Sequence, residues 1–189
     1  NFGMFYAKSA DNGATWTNAA GTATYAIPLT DQNSEKIYTV NVNEGYVNQN
    51  GGCYDLSNNY HTVFWHSDPV TGFSRIMHVW YDGSVWNSDV AHKLDRAYPP
   101  SSNMLPGYYS RPHIVCGISG KIFVVFKNTY EDENTIYAID VTDTANHVTY
   151  EAIKFGTRQT ELALNTDFAI NDNELVMMLA KGGGNVTNT

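Results

Sequence analysis

Apolar positions along this chain fall in short runs that either alternate with polar residues or stay continuous for one strand's length. Gly3–Ser9, Lys36–Val42, Thr62–His66, Arg75–Tyr81, Lys121–Lys127, Thr135–Val141, Val148–Lys154 and Glu174–Ala180 all read as β-strands. Each is bounded by Gly, Asn, Asp or Pro, the residues that close turns. None carries the 3.6-residue period of an amphipathic helix, and Glu161–Leu164 alone is ambiguous. Pro99–Pro100 and Ser101–Gly107 form a loop between two strand groups, and the low-complexity stretch Gly182–Thr189 is expected to fray.

The strands repeat. Gly52-Cys53-Tyr54-Asp55-Leu56 followed by His61-Thr62-Val63-Phe64-Trp65 aligns with His113-Ile114-Val115-Cys116-Gly117 followed by Lys121-Ile122-Phe123-Val124-Val125-Phe126. Each unit continues into a third strand (Arg75–Tyr81, Thr135–Val141) and a fourth (Val85–Val90, Val148–Lys154), with an offset of about 60 residues. Four antiparallel strands per repeat is the signature of a propeller blade. The expectation is therefore an all-β protein, a β-propeller of four-stranded antiparallel blades. Residues 1–20 are the end of one blade, 45–92 and 108–156 two complete blades, and 160–181, with strands at Asp167–Ile170 and Glu174–Ala180, the start of another. About half of a propeller is present on this count. The remaining blades are expected in a second chain or in further sequence, because open sheet faces would be left in water. Asn1 lies inside what reads as a strand, so the natural chain is expected to extend upstream. The competing arrangement is a self-contained β-sandwich.

Composition narrows the classes. Of 189 residues, 13% are aromatic, which favours sheets, and 42% are hydrophobic, enough for a packed core. No apolar run approaches the length of a membrane helix. A net charge of −8 argues against a sequence-independent grip on nucleic acid. Two cysteines cannot make a disulfide-dense scaffold.

The octapeptide Ser9-Ala10-Asp11-Asn12-Gly13-Ala14-Thr15-Trp16 fits S-x-D-x-G-x-T-W, an Asp box. Its logic is local: Asp11 accepts backbone N–H groups across a tight turn, Gly13 supplies a positive φ and Trp16 packs under the hairpin. Asp82-Gly83-Ser84-Val85-Trp86 is a shortened echo at the corresponding turn of the next unit. With Tyr6-Ala7-Lys8, Asn48-Gln49-Asn50-Gly51-Gly52, His61–His66, His78-Val79-Trp80-Tyr81 and Ser110-Arg111-Pro112-His113, these segments resemble the BNR-4 repeat proteins over about residues 1–180. Within that group the chain is most similar to the C-terminal half of propeller polysaccharide lyases that cleave ulvan and related uronate polymers. The resemblance implies β-elimination on an anionic polysaccharide by a secreted, periplasmic or cell-surface bacterial enzyme. In that chemistry the uronate carboxylate is neutralised, a His or Tyr removes the C5 proton and a second group protonates the departing oxygen, without a catalytic cofactor. The family's catalytic residues are expected mostly in the N-terminal half, together with a positive groove.

Topology ranks the residues that are present. The loop leading into the first strand of a blade and the loop between its second and third strands share one end, opposite the Asp-box turn. Tyr46, Asn48, Gln49, His66, Tyr108, Tyr109 and Arg111 fall there. These types suit a sugar: aromatic platforms, amides, and an Arg fork for carboxylate or sulfate. Each has loop bracing as its plain alternative. His61, inside a strand, is a candidate that equally reads as buried and structural. Cys53, His66, His78 and Cys116 form a candidate structural zinc set joining two blades. Two unrelated buried thiols, or a Cys53–Cys116 disulfide, are the competing readings. Rival functions are a sialidase-like glycoside hydrolase, with Asp55 and Asp68 as the tempting carboxylates, and a non-catalytic carbohydrate-binding propeller.

Overall fold

The fold comes from a computed structural model, which describes residues 3–41, 44, 51–97, 111–128, 135–154, 159–165, 171–172, 174 and 176–181. Its strands are β1 (Met4–Tyr6), β2 (Trp16–Thr17), β3 (Thr24–Tyr25), β4 (Glu35–Tyr38), β5 (Gly51–Tyr54), β6 (Tyr60–Ser67), β7 (Phe73–Tyr81) and β8 (Trp86–Ala97). They continue as β9 (His113–Cys116), β10 (Ile122–Lys127), β11 (Thr135–Asp140), β12 (Val148–Lys154), β13 (Gln159–Asn165) and β14 (Val176–Lys181). The chain is all-β, as its hydrophobic pattern predicts. Glu161–Leu164 belongs to strand β13, whereas the expected strand Asp167–Ile170 lies outside the described residues.

Two four-stranded antiparallel meanders, β5-β6-β7-β8 and β9-β10-β11-β12, are the largest sheets. Around them lie the pairs β1-β4, β2-β3 and β13-β14, with a single Lys8↔Thr17 bridge linking the first two. The sheets stack face to face. Val63, Trp65 and Ile76 of the first meander interlock with Ile114, Val124, Phe126 and Ile139 of the second. On its other face, Phe64, Met77 and Val79 meet Met4, Ile37 and Tyr38 of the β1-β4 pair. The second meander turns Val125, Ile136 and Ala138 toward Leu162, Leu164 and Met177 of β13-β14.

This stacking explains why β6 and β11 read as continuous apolar runs: both of their faces are covered, so neither strand has a solvent side to make polar. Each fully buried Val, Ile or Phe in such a strand contributes about 1.5–3 kcal/mol relative to exposure. The seam between the meanders is tightest where β5 passes β9. A Cβ on Gly51 would stand 2.9 Å from both His113 Cα and Ile114 N, so only glycine admits this approach.

Aspartates close the hairpins. Asp11 Oδ1 accepts the Thr15 N–H at 2.8 Å, Ser9 Oγ accepts the Gly13 N–H at 2.8 Å, and Trp16 Nε1 donates to the Gly13 carbonyl at 3.0 Å. Gly13 adopts φ 89°, as the octapeptide requires. Asp82 repeats the device, accepting the N–H groups of Ser84 and Val85 at 2.8 Å each beside Gly83 at φ 94°. Asp55 does the same for Ser57 and Asn59, and Asp68 for Val70 and Thr71. The β5–β6, β7–β8, β9–β10 and β11–β12 turns lie at one end of the meanders; the β6–β7 turn and Arg111-Pro112, just before β9, lie at the other.

Candidate functional site

At the end opposite the Asp82 turn, strand registry brings an imidazole and a guanidinium together. His66 near the end of β6 pairs directly with Arg75 near the start of β7. Asp68, in the turn between them, accepts from Arg75 Nη1 at 2.8 Å. Arg75 Nη2 lies 3.5 Å from His66 Nδ1, and His66 Nε2 lies 3.2 Å from Glu44 Oε2. Glu44 is itself fixed by the N–H and side-chain amide of Asn41, at 2.7 and 2.6 Å, while its carbonyl takes the Ser67 N–H at 3.0 Å. Tyr38 of β4 packs edge-on against His66, with centroids 5.8 Å apart.

Charges in this cluster are held in place. Donors from Asn41, then His66, keep the Glu44 carboxyl below the usual range, and the Thr71 and Val70 N–H groups do so for Asp68. Burial, reinforced by the Arg75 charge and opposed by Glu44, depresses His66, so the ring is neutral, with Nε2–H donating to Glu44 and Nδ1 accepting from Arg75. Burial raises Tyr38 despite the Arg75 charge, so the phenol keeps its proton. Arg75 Nε is buried without a hydrogen-bond partner. His66 is 2% exposed and spoken for at both nitrogens; it positions Arg75 and Glu44 rather than presenting a free base.

The other expected site residues divide. Arg111 is exposed in the segment leading into β9, at the same end as the cluster. Tyr46, Asn48, Gln49, Tyr108 and Tyr109 lie outside the described residues. His61 is 5% exposed and sits at the opposite end of β6, on the opposite face from His66, so it does not join this cluster. Four residues of the cluster carry no site expectation from sequence: Tyr38, Asn41, Glu44 and Arg75.

The four expected metal ligands do not converge. Cys53 and Cys116 are free, buried and share one core, which His78 borders, but His66 faces the opposite side of the sheet, toward Tyr38. Strand alternation is the reason: His66 points with Phe64 and Thr62, not with Val63 and Trp65. Among the described residues no group of three or more His, Cys, Asp or Glu side chains is arranged to hold a metal ion. Asp55 and Asp68, the carboxylates expected for hydrolysis, close turns at opposite ends of β6 and cannot flank one bond. No helix among the described residues is long and apolar enough to cross a membrane. No protein-family model matches the chain, and no curated protein matches its sequence.

Proposed function

We propose that the stacked sheets are consecutive blades of a β-propeller, and that the chain forms part of a polysaccharide lyase acting on a uronate-containing, sulfated, ulvan-like polymer. The observation that carries this reading is the gathering of Tyr38, His66 and Arg75 at the end opposite the Asp55 and Asp82 turns. β-Elimination calls on a cation beside the carboxylate and on proton-transfer groups at C5 and O4. Arg75 is the cation, held in place by His66, and the protonated phenol of Tyr38 is a proton donor. Arg75 and exposed Arg111 place guanidiniums at that end for a carboxylate or sulfate. Elimination of this kind uses no cofactor.

The outer face of β13-β14 supports a continuing ring. Met178 is 72% exposed and Val176 37%, an apolar row where a further blade would lie. A polymer too large to enter a cell is met outside it, which fits a secreted or surface-held enzyme. A second reading, a non-catalytic carbohydrate-binding propeller, is favoured by the double engagement of His66. Incubation with ulvan and other polyuronates separates the two. Elimination yields a conjugated, ultraviolet-absorbing unsaturated uronate; retention on the polymer without product supports the binding module. Reducing ends without that absorbance would overturn the lyase reading in favour of hydrolysis.

A further inference from the structure

A cleft of about 470 Å³ opens between the β1-β4 pair and the β5–β6 hairpin, beside the Asp55 turn and at the far end of β6 from His66. Its walls are aromatic. Tyr54, the last residue of β5, pairs across the hairpin with Tyr60, the first of β6, and their rings meet edge-on with centroids 5.2 Å apart. Tyr6, the last residue of β1, comes from the facing sheet to lie 5.2 Å from Tyr60 and 5.1 Å from Trp86. Gly52 makes room for this arrangement. A Cβ there would stand 2.8 Å from Tyr60 Cζ, so the bare backbone of β5 is the bed on which that ring lies.

The three phenols differ in access: Tyr6 is buried, Tyr60 partly buried and Tyr54 45% exposed, so the cleft runs from a wet rim to a dry base. Tyr6 Oη and Tyr54 Oη stand 3.3 Å apart, and either can donate. Hydrogen bonds between hydroxyls settle near about 2.7–2.8 Å, so this one is long, and a ligand hydroxyl placed beside both oxygens exchanges for it with little loss. Burial, then the Tyr54 contact, raises the Tyr6 pKa, and burial raises that of Tyr60, so both hydroxyls keep their protons. The described residues that line the cleft carry no ionised side chain. The charges close by are held elsewhere: Glu35, which pairs with Tyr6, accepts the Ala19 N–H at 2.7 Å, and Lys8 Nζ donates to the Ala19 carbonyl at 2.6 Å.

We propose that this cleft binds one uncharged pyranose residue, its apolar C–H face laid against Tyr54 and its hydroxyls exchanging hydrogen bonds with the Tyr6–Tyr54 pair. Site and ligand match in kind. A tyrosine offers an apolar ring and a polar tip, and a neutral sugar has an apolar face rimmed by hydroxyls. A hydrocarbon would cover the phenol pair without giving it a partner. An anion or an ammonium would lose its hydration with no countercharge in return. The site stands apart from the cluster at Arg75, at the other end of β6, and calls on neither a uronate nor elimination. It seats an uncharged residue of a glycan, whatever chemistry Arg75 serves.

Methyl glycosides of glucose, galactose, mannose and xylose, titrated into the full chain carrying ¹³C-labelled tyrosine rings, test the proposal, with glucuronate as the charged comparison. At least one neutral glycoside should shift the ring signals of Tyr54 and Tyr6 with a millimolar dissociation constant, as a single small ligand allows. Glucuronate at the same concentrations should shift neither. Tyr54→Ala, at a half-exposed position, should weaken binding about tenfold through loss of the ring face and its hydroxyl, and Tyr54→Phe should recover part of that loss. Arg111→Ala, at the other end, should leave it unchanged. The proposal is overturned if no neutral glycoside moves Tyr54, if glucuronate binds as well as they do, or if Tyr54→Ala binds as tightly as the parent. Should that variant not fold, the titrations of the parent decide alone.

Discussion

Gly51→Ala probes the seam on which the stacking of the two meanders depends. The new methyl carbon would meet His113 Cα and Ile114 N at 2.9 Å and the Pro112 carbonyl oxygen at 3.1 Å. All three are backbone atoms, so no side chain can rotate away, and β5 and β9 must separate by a few tenths of an ångström. Gly51 does not have positive φ, so the cost is steric and not conformational. Overpacking of this kind costs about 1–3 kcal/mol. With a urea m-value of about 2 kcal/mol/M, the denaturation midpoint should fall by roughly 0.5–1.5 M. Gly72→Ala is the control: φ is 71° with nothing within 4 Å of the added carbon, so it carries only the left-handed backbone penalty of about 1–2 kcal/mol. Native-state hydrogen exchange separates the two variants. Gly51→Ala should raise exchange at His113–Cys116 across the seam, whereas Gly72→Ala should act only around the β6–β7 turn. A Gly51→Ala protein with unchanged midpoint and unchanged β9 protection would show that β5 and β9 do not meet there.

Three further outcomes are expected. Phe64→Ala, at a fully buried site packed edge-on against Tyr38 at 5.1 Å, should lose about 3–5 kcal/mol in chemical denaturation; a loss under about 1 kcal/mol would mean that β1-β4 does not cover β6. The Asp11 carboxyl is held down to about 2 by the Thr15 backbone N–H, the Thr15 hydroxyl and Ser9. Its contribution to the turn is therefore complete above the unfolded carboxyl range and is lost as pH falls through about 2, which a carboxyl NMR titration reads directly; titration near 4 would refute the turn geometry. Burial pushes Cys53 up to about 12 and raises Cys116 as well. Both thiols should react slowly with a disulfide reagent at pH 8 in the folded protein and rapidly in denaturant, and a fast native phase would contradict their burial.

The fold was legible wherever burial on both faces produced continuous β-rich runs, as in β6 and β11, and wherever an aspartate and a glycine marked a hairpin, as at Asp11-Asn12-Gly13 and Asp82-Gly83. It was less legible at the ends of strands. β8 runs on past the expected end at Val90 to Ala97, through Ala91-His92-Lys93-Leu94-Asp95-Arg96. Past the bulge opposite Ile76–Met77 it keeps pairing with β7 as far as Phe73↔Ala97, so ladder bonds override the preferences of the residues themselves. The pair β1-β4 was not foreseen because its strands are separated by the β2–β3 hairpin, and no short-range pattern encodes such a return.

Much of the site could have been found by hairpin arithmetic. Once the Asp68–Gly72 turn is recognised, antiparallel registry sets His66 opposite Arg75, Val63 opposite His78 and His61 opposite Trp80. His61 and His78 are then diagonal neighbours on one face, while His66 falls on the other. That parity is enough to divide the histidines between two ends and two faces, and to remove His66 from any ligand set that includes His78. Applied to the Asp55 turn, the same arithmetic sets Tyr54 opposite Tyr60. Glu44, Tyr38 and Tyr6 are different in kind. Each reaches its partner from another sheet or from a segment outside the hairpin, so its place depends on how sheets stack, a property of the assembled core rather than of any local run. The contacts that make each cluster more than a cross-strand pair are therefore those that disappear first if adjacent sheets part.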